Sequence, residues 1–399
     1  MCTQRQVLPE RKARLPLMLH ISRVSRMFPI KLKRYVRCVL GLCLVAANGT
    51  VLLAQPVAPL FPDTPANRAL VSESLEVYWQ ADADYGKFIT VNDVRMHYLE
   101  WGDATGVPLI WSHGYAHTGF ELLGVGPQLA ETGYHVYAIS YRGHGQTNVD
   151  DYQFSLSHIA DDIRAMMDKL GIERAVIGGL SLGGGVTTAF YENYPERTLA
   201  LVLEDGGADP VQSRTERMFG TYAYKGSRPH KELRFESRFT AFQALAHAYM
   251  PSWGGELPTG AAPAFHSWIR ATDNGEFVPH FDGPRMLGEG PAAYDPARGH
   301  ELPLLAQSWR RNHPVITYRN LNVPMLIIDP TGDKIDLSTE YAKLKALHPG
   351  LIRLVEYPDT PHVAHLTRPD WFLRDMRELL KRLSTRNGHP GNARIREEQ

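Results

Sequence analysis

Residues Ala175–Thr188 read AVIGGLSLGGGVTT, a short aliphatic run followed by a single serine set among glycines. So much glycine around one hydroxyl has a steric cause. Gly179-Leu180-Ser181-Leu182-Gly183 fits G-x-S-x-G, in which a strand turns into a helix so tightly that flanking side chains would collide with neighbouring backbone. Such a turn lifts the Ser181 hydroxyl above the sheet, and the helix that follows aims its N-terminal amides at the reacting group. The bare pattern also fits a glycine-rich structural turn. Its place after a strand and before a helix selects the nucleophile reading.

The flanking sequence supplies that context. Phe88–Gly102, FITVNDVRMHYLEWG, reads as a hairpin turning at Asn92-Asp93, and Pro108–Ser112, PLIWS, as a buried strand ending at His113-Gly114. His135–Ser140, HVYAIS, runs into YRGHG. In SHIADDIRAMMDKLG, Ile159, Ile163, Met166, Met167 and Leu170 share one helical face, with Ser157 as expected N-cap and Gly171 as terminator. Leu199–Glu204 is a further strand. This alternation predicts an α/β fold with a mostly parallel central sheet covered by helices on both faces.

After Asp205 the rhythm changes, and a segment rich in aromatics, His, Arg, Gly and Pro runs to Val323 with helical patches such as RFTAFQALAHAYM. It reads as an inserted, mainly helical lid. The pattern resumes with VPMLIID (Val323–Asp329), LIRLVEY (Leu351–Tyr357) and a closing helix from Pro369 that buries Trp371, Phe372, Met376, Leu379, Leu380 and Leu383. The expected organisation is a leader (1–54), an N-terminal extension (55–85), the first part of the core (86–207), the lid (208–320), the second part of the core (321–386) and a mobile tail (387–399).

A serine hydroxyl is a weak nucleophile at neutral pH and needs a base oriented by a carboxylate. His362, in the loop after LIRLVEY, is the expected base, with His365 as the alternative. For the acid, VPMLIIDPTGDKID offers Asp329, Asp333 and Asp336. Asp333, in a turn at a strand's carboxyl end, is preferred, and Asp205 at the end of LVLED is its main rival. Attack on an acyl carbon makes an oxyanion, which needs two waiting amides. Leu182 supplies one and Tyr115, in SHGYAHTGF, the other. His113 is expected to brace that loop, while His117 and Phe120 either line a pocket or pack beneath the lid.

Five segments in this order, FITVNDVRMHYLEWG, LIWSHGY, YRGHGQT, GGLSLGGG and TGDKID with PHVAHLTRPD, resemble the α/β-hydrolase fold serine hydrolases that carry a lid, over Gly86 to Leu383. The resemblance implies Ser181 as nucleophile, Asp333 as acid, His362 as base and Tyr115 with Leu182 as oxyanion hole. Relatives that dehalogenate alkanes or open epoxides carry aspartate at the elbow, so serine here counts against both. Pro361 stands where glycine commonly precedes the histidine, and Ser140-Tyr141 where many relatives have an aspartate before the RGHG loop.

The implied reaction is acyl transfer from an ester or lactone to water, with no metal or organic cofactor required. Alternatives are perhydrolysis, carbon-carbon bond hydrolysis and a non-catalytic ligand-binding role on the same fold. Trp253, Phe265, Trp268, Phe277 and Trp309 suggest a mid-sized, largely apolar small-molecule substrate, or else the lid's own core.

Composition, 43% hydrophobic and 22% charged, is that of a globular chain. The formal net charge of zero is uneven: residues 1–54 hold 10 of the 43 Lys and Arg and one of the 43 Asp and Glu, leaving 33 basic against 42 acidic residues, a net −9. An acidic body without a basic stripe argues against nucleic-acid binding. KLKRYVR followed by CVLGLCLVAANGTVLLAQ reads as a secretory signal, possible start Met27, cleaved after Ala47 or Ala54, which predicts a periplasmic or secreted protein with no stable membrane association. An uncleaved anchor is the alternative. Cys2, Cys38 and Cys43 all fall in this leader, so the mature chain carries no cysteine; Leu42 argues against lipid attachment at Cys43. Oligomeric state is not legible.

Overall fold

The computed structural model describes residues 60–387 except 148, 150–152, 209–232, 251–254, 259, 281–285, 287–302 and 333–335. The leader with its three cysteines and both cleavage points, Trp253, Asp333 and the tail from 388 lie outside the described residues. The described residues belong to one compact unit, Ala58–Gln399.

Strands that are apolar on both faces must be covered on both faces. Every residue of β4 (Tyr134–Ser140), β5 (Ala175–Leu180) and β9 (Met325–Pro330) is buried. With β1 (Gly86–Val91), β2 (Val94–Trp101), β3 (Val107–Ser112), β6 (Thr198–Glu204) and β10 (Ile352–Tyr357) they form an eight-stranded sheet in the order β1-β2-β4-β3-β5-β6-β9-β10. The first three strands pair antiparallel, and β4-β3-β5-β6-β9-β10 are parallel. The β1–β2 hairpin turns where expected, at Asn92, whose φ of +48° is one that asparagine tolerates.

Among the described residues, the helices longer than two turns are α1 (Pro65–Tyr85), α2 (Leu156–Lys169), α3 (Leu182–Asn193), α4 (Arg238–Tyr249), α5 (Ser338–Leu347) and α6 (Pro369–Asn387). Ile159, Ile163, Met166 and Met167 of α2 are buried as the periodicity predicts. The cap differs. Ser155, not Ser157, closes the helix, accepting from the His158 amide at 3.3 Å while the His158 ring accepts from the Ser155 amide at 2.9 Å. In α6, Phe372, Met376, Leu379 and Leu383 are buried, whereas Trp371 and Leu380 are only partly so.

The stretch between β6 and β9 contributes α4, the helix Ala262–His266 and a small hairpin, β7 (Ile269–Ala271) with β8 (Phe277–Pro279). Its aromatics pack on one another: Phe265 lies 4.6 Å from Trp268 and 5.1 Å from Phe242, and Trp268 lies 5.0 Å from Tyr249, centroid to centroid. Phe265 and Trp268 are therefore core side chains of this stretch, while Phe277 and Trp309 are half-buried.

Helix α1 lies within the expected N-terminal extension and binds this stretch to the sheet. Thr64 caps it and Pro65 opens it. On its buried side the Ser74 hydroxyl meets His266 Nε2 at 3.0 Å and Tyr78 packs 4.6 Å from Phe120. Near its end, Asp82 accepts from His97 Nε2 of β2 at 2.8 Å.

Candidate active site

The turn from β5 into α3 explains its glycines. A Cβ on Gly183 would overlap the Ser112 carbonyl oxygen of β3, and one on Gly206 would overlap the Ser181 carbonyl, so only glycine lets these three strand ends close on the serine. Ser181 itself sits at φ +54°, ψ −113°. For a residue with a Cβ this is a sparsely populated region costing of order 1–3 kcal/mol, held here by the surrounding backbone. Its amide donates to the Glu204 carbonyl at 2.8 Å, extending the β5–β6 ladder by one bond. Leu182, the next residue, is the first of α3, where backbone amides have no partner within the helix.

Parallel pairing fixes what lies beside Ser181. Leu180 is in register with Glu204, and Glu204 with Ile328, so Ser181 and Asp205 emerge side by side from the carboxyl ends of β5 and β6. Asp205 takes φ +40° and its amide donates to the Ile328 carbonyl at 3.2 Å. Its carboxylate Oδ2 is bonded to His362 Nδ1, and the Asp205 side chain is fully buried while that of His362 is 14% exposed. A carboxylate only accepts, so Nδ1 carries the proton and Nε2 is left as the basic nitrogen.

Among the described residues, the carboxylate bonded to His362 is that of Asp205, the rival in the sequence reading. Asp333, the preferred acid, lies outside the described residues. Of the other two candidates, Asp329 is buried at the end of β9, where burial raises its pKa, and Asp336 is exposed and accepts from the Ser338 amide at 3.1 Å. His365, the alternative base, is fully buried, its ring spanning Glu204 and the Glu121 carbonyl. With both nitrogens engaged it has none to offer a serine.

The loop after β3 approaches the serine closely: a Cβ on Gly114 would stand 3.7 Å from Ser181 Cβ. The Gly114 carbonyl accepts from the His117 amide at 3.1 Å and from His113 Nδ1 at 2.7 Å. Because a trans peptide points its C=O and the following N–H in opposite directions, pinning that carbonyl also aims the Tyr115 amide away from both donors. His113 therefore braces the loop, as expected. Its ring stacks on Tyr141 at 3.8 Å, and burial, the largest cause, holds its pKa well below the ordinary range, so it stays neutral. His117 bonds Glu121 Oε2 at 2.6 Å and packs 5.0 Å from Trp268, while Phe120 stacks on His97 at 5.7 Å. Both belong to the packing beneath the inserted stretch.

Residues 107–369 match the family model for the alpha/beta hydrolase fold, and the chain belongs to that family. It is 20% identical over 297 residues to the bifunctional esterase/perhydrolase DCH of Acinetobacter calcoaceticus, covering 74% of this chain and 99% of that protein. It is 24% identical over 205 residues to a non-heme haloperoxidase of Rhodococcus erythropolis, covering 51% of this chain and 73% of that one. Among solved structures, E-2-(acetamidomethylene)succinate hydrolase superposes with a TM-score of 0.58 at 19% identity, covering 74% of this chain and 98% of that chain. Membership of this hydrolase family points to small-molecule substrates. Among the described residues, no helix is long and apolar enough to cross a membrane, and no three His, Cys, Asp or Glu are grouped so that they could hold a metal ion.

Proposed function

We propose that the protein is a serine hydrolase that cleaves a carboxylic ester or lactone through an acyl-enzyme. The observation that carries this reading is that a strained Ser181 at the start of α3 emerges beside Asp205 at the end of the adjacent strand, and that the Asp205 carboxylate bonds His362. Asp205 holds the His362 tautomer, Nε2 takes the Ser181 proton, and Oγ attacks the acyl carbon. The developing oxyanion is received by the amides of Leu182 and Tyr115, supported by the dipole of α3. Collapse expels the alcohol with the proton from His362, and water, activated by the same ring, releases the acid.

A second reading has a specific support, the likeness to a protein named as both esterase and perhydrolase. The same acyl-enzyme attacked by hydrogen peroxide instead of water yields a peracid and free Ser181. The two reactions share every residue up to the acyl-enzyme, so they differ only in which nucleophile the site admits.

The test is a panel of esters with graded acyl chains, plus lactones, assayed with and without peroxide. Turnover of at least one ester or lactone that is lost in Ser181→Ala supports the proposal. A folded protein inert toward the whole panel would count against it. The expected export rests on the leader 1–54, and is tested by the N-terminal sequence of protein recovered from outside the cytoplasm; a mature N-terminus after Ala47 or Ala54 is the outcome that supports it.

A further inference from the structure

Three buried titratable side chains beside the site have no part in that reaction. Glu121 is 1% exposed, and Glu204 and His365 are fully buried. The amide of His365 donates to Glu204 Oε1 at 2.9 Å, and its ring Nδ1 lies 3.0 and 2.9 Å from the two carboxylate oxygens. On the other side of the ring, Nε2 lies 3.2 Å from the Glu121 carbonyl. The Glu121 carboxylate in turn accepts from Trp111 Nε1 at 2.8 Å, the Gly114 amide at 3.2 Å and His117 Nδ1 at 2.6 Å.

The partners constrain the proton count. A backbone carbonyl can only accept, so Nε2 carries a proton. Nδ1 faces both oxygens of Glu204: with these as a carboxylate, which only accepts, Nδ1 carries a proton too, whereas a proton on Glu204 would leave the ring neutral. With Glu204 ionised the ring is an imidazolium. It lies edge-on to Trp111 at 5.9 Å and 5.7 Å from Phe372, so β3 and α6 face it with aromatic carbon, and the charges near it are those of Glu204 and Glu121. Burial by itself would lower its pKa, but the attraction and hydrogen bonds of Glu204, with help from Glu121, outweigh this and raise it.

The positions of these groups in the chain give the ion pair a purpose. Glu204 directly precedes Asp205, His365 lies three residues beyond His362, and Glu121 holds the amide of Gly114, next to Tyr115. One buried cation therefore joins the ends of the three segments that carry acid, base and oxyanion donor. We infer that Glu204, His365 and Glu121 form a charged brace of positioning residues that fixes the His362 loop relative to the oxyanion loop. Its catalytic consequence rests on the serine-hydrolase reading above, whereas its ionisation does not. A charged link suits this task because its geometry is strongly directional, while an apolar contact would allow the loops to slide.

Two experiments test it. Long-range nitrogen-15 spectra of the folded protein at pH 8, with His365→Gln to assign the signal, should show both ring nitrogens of His365 protonated; a neutral ring with one bare nitrogen would overturn the brace. His365→Gln and, should that variant fold poorly, the charge-balanced Glu204→Gln/His365→Gln should lose about 10- to 100-fold in kcat, with KM unchanged within about twofold, as expected for a displaced rather than a missing catalytic group. A glutamine at 365 cannot reach both Glu204 and the Glu121 carbonyl, so the double variant still cuts the link. A folded variant with wild-type kcat would refute the positioning role. If instead the wild-type protein cleaves no ester while His365 is doubly protonated, the function proposed above fails and the brace stands as a feature of the fold alone.

Discussion

Asp205 and His362 stand 157 residues apart in the chain and meet through Oδ2 and Nδ1 at the rim of the sheet. The contact follows from topology. β6 ends beside β5 and delivers Asp205 next to Ser181, and the turn after β10 brings the histidine over the same edge.

The first consequence concerns the acid. Asp205→Asn keeps the size of the side chain but no longer selects the His362 tautomer, and should lower kcat by about 10⁴-fold with little change in KM. Asp333→Asn should leave kcat within a few-fold of wild type. Steady-state kinetics on one ester would decide, and the reverse ranking would restore Asp333 as the acid.

Removing the nucleophile should be as severe without harming the fold. Ser181→Ala relieves a residue at positive φ only in part, since alanine also disfavours that region, so the melting temperature should shift little while kcat falls by about 10⁴-fold or more. Near-UV circular dichroism alongside kinetics checks both halves.

The turn should tolerate no side chain at Gly183. Gly183→Ala forces a Cβ against the Ser112 carbonyl, a backbone atom that cannot swing aside. A loss of about 1–3 kcal/mol in urea unfolding, with a larger proportional loss of activity, is expected from overpacking at this point. Wild-type stability and rate in this variant would show that the turn is looser than described.

Stability should decline on the acid side of neutrality for a specific reason. Burial, the largest cause at each, depresses His144 and His266 to about 3 and His280 to about 4, with His113 well below its ordinary value. In the unfolded chain all four protonate near 6.5, the ordinary imidazole value. The unfolded state therefore binds more protons below that pH, and stability falls by about 1.4 kcal/mol per pH unit for each such ring as the pH drops. His365 has the opposite sign: its raised pKa contributes stability that is complete below 6.5 and is lost as the pH rises through its folded value. Urea midpoints between pH 4.5 and 8 should peak near pH 6 to 7; a profile flat from 6.5 to 5 would contradict this assignment.

What was legible in the sequence was local. The Asn92 hairpin, the α2 stripe and the glycine-flanked Ser181 each declare themselves within a dozen residues, because a turn or a helical face is a short-range constraint. The choice between Asp205 and Asp333 is not of that kind. Both follow buried parallel strands; the register of β5 with β6 sets Asp205 beside the serine, where its carboxylate bonds His362, while Asp333 lies outside the described residues. Glu204 and Glu121 were missed for the same reason, although two adjacent acids at a strand end and two histidines three apart were a visible signal. Helix α1 had a readable start in Thr64-Pro65, and its buried Val71, Ser74, Tyr78 and Ala81 keep helical spacing. The polar Ser74 inside that stripe and the exposed Val77 and Trp79 beside it blurred the pattern. At α2, His158 closes the capping box where Glu or Gln is the usual cue, which hid Ser155 behind Ser157.

The central claim is that Ser181 is a nucleophile made so by His362 and Asp205. The most direct test is to treat the folded protein with a fluorophosphonate and locate the adduct by peptide mass spectrometry. The account predicts one adduct, on Ser181, absent in Ser181→Ala and formed far more slowly in His362→Ala and Asp205→Asn. A folded wild-type protein that takes no label, or takes it elsewhere, would contradict it.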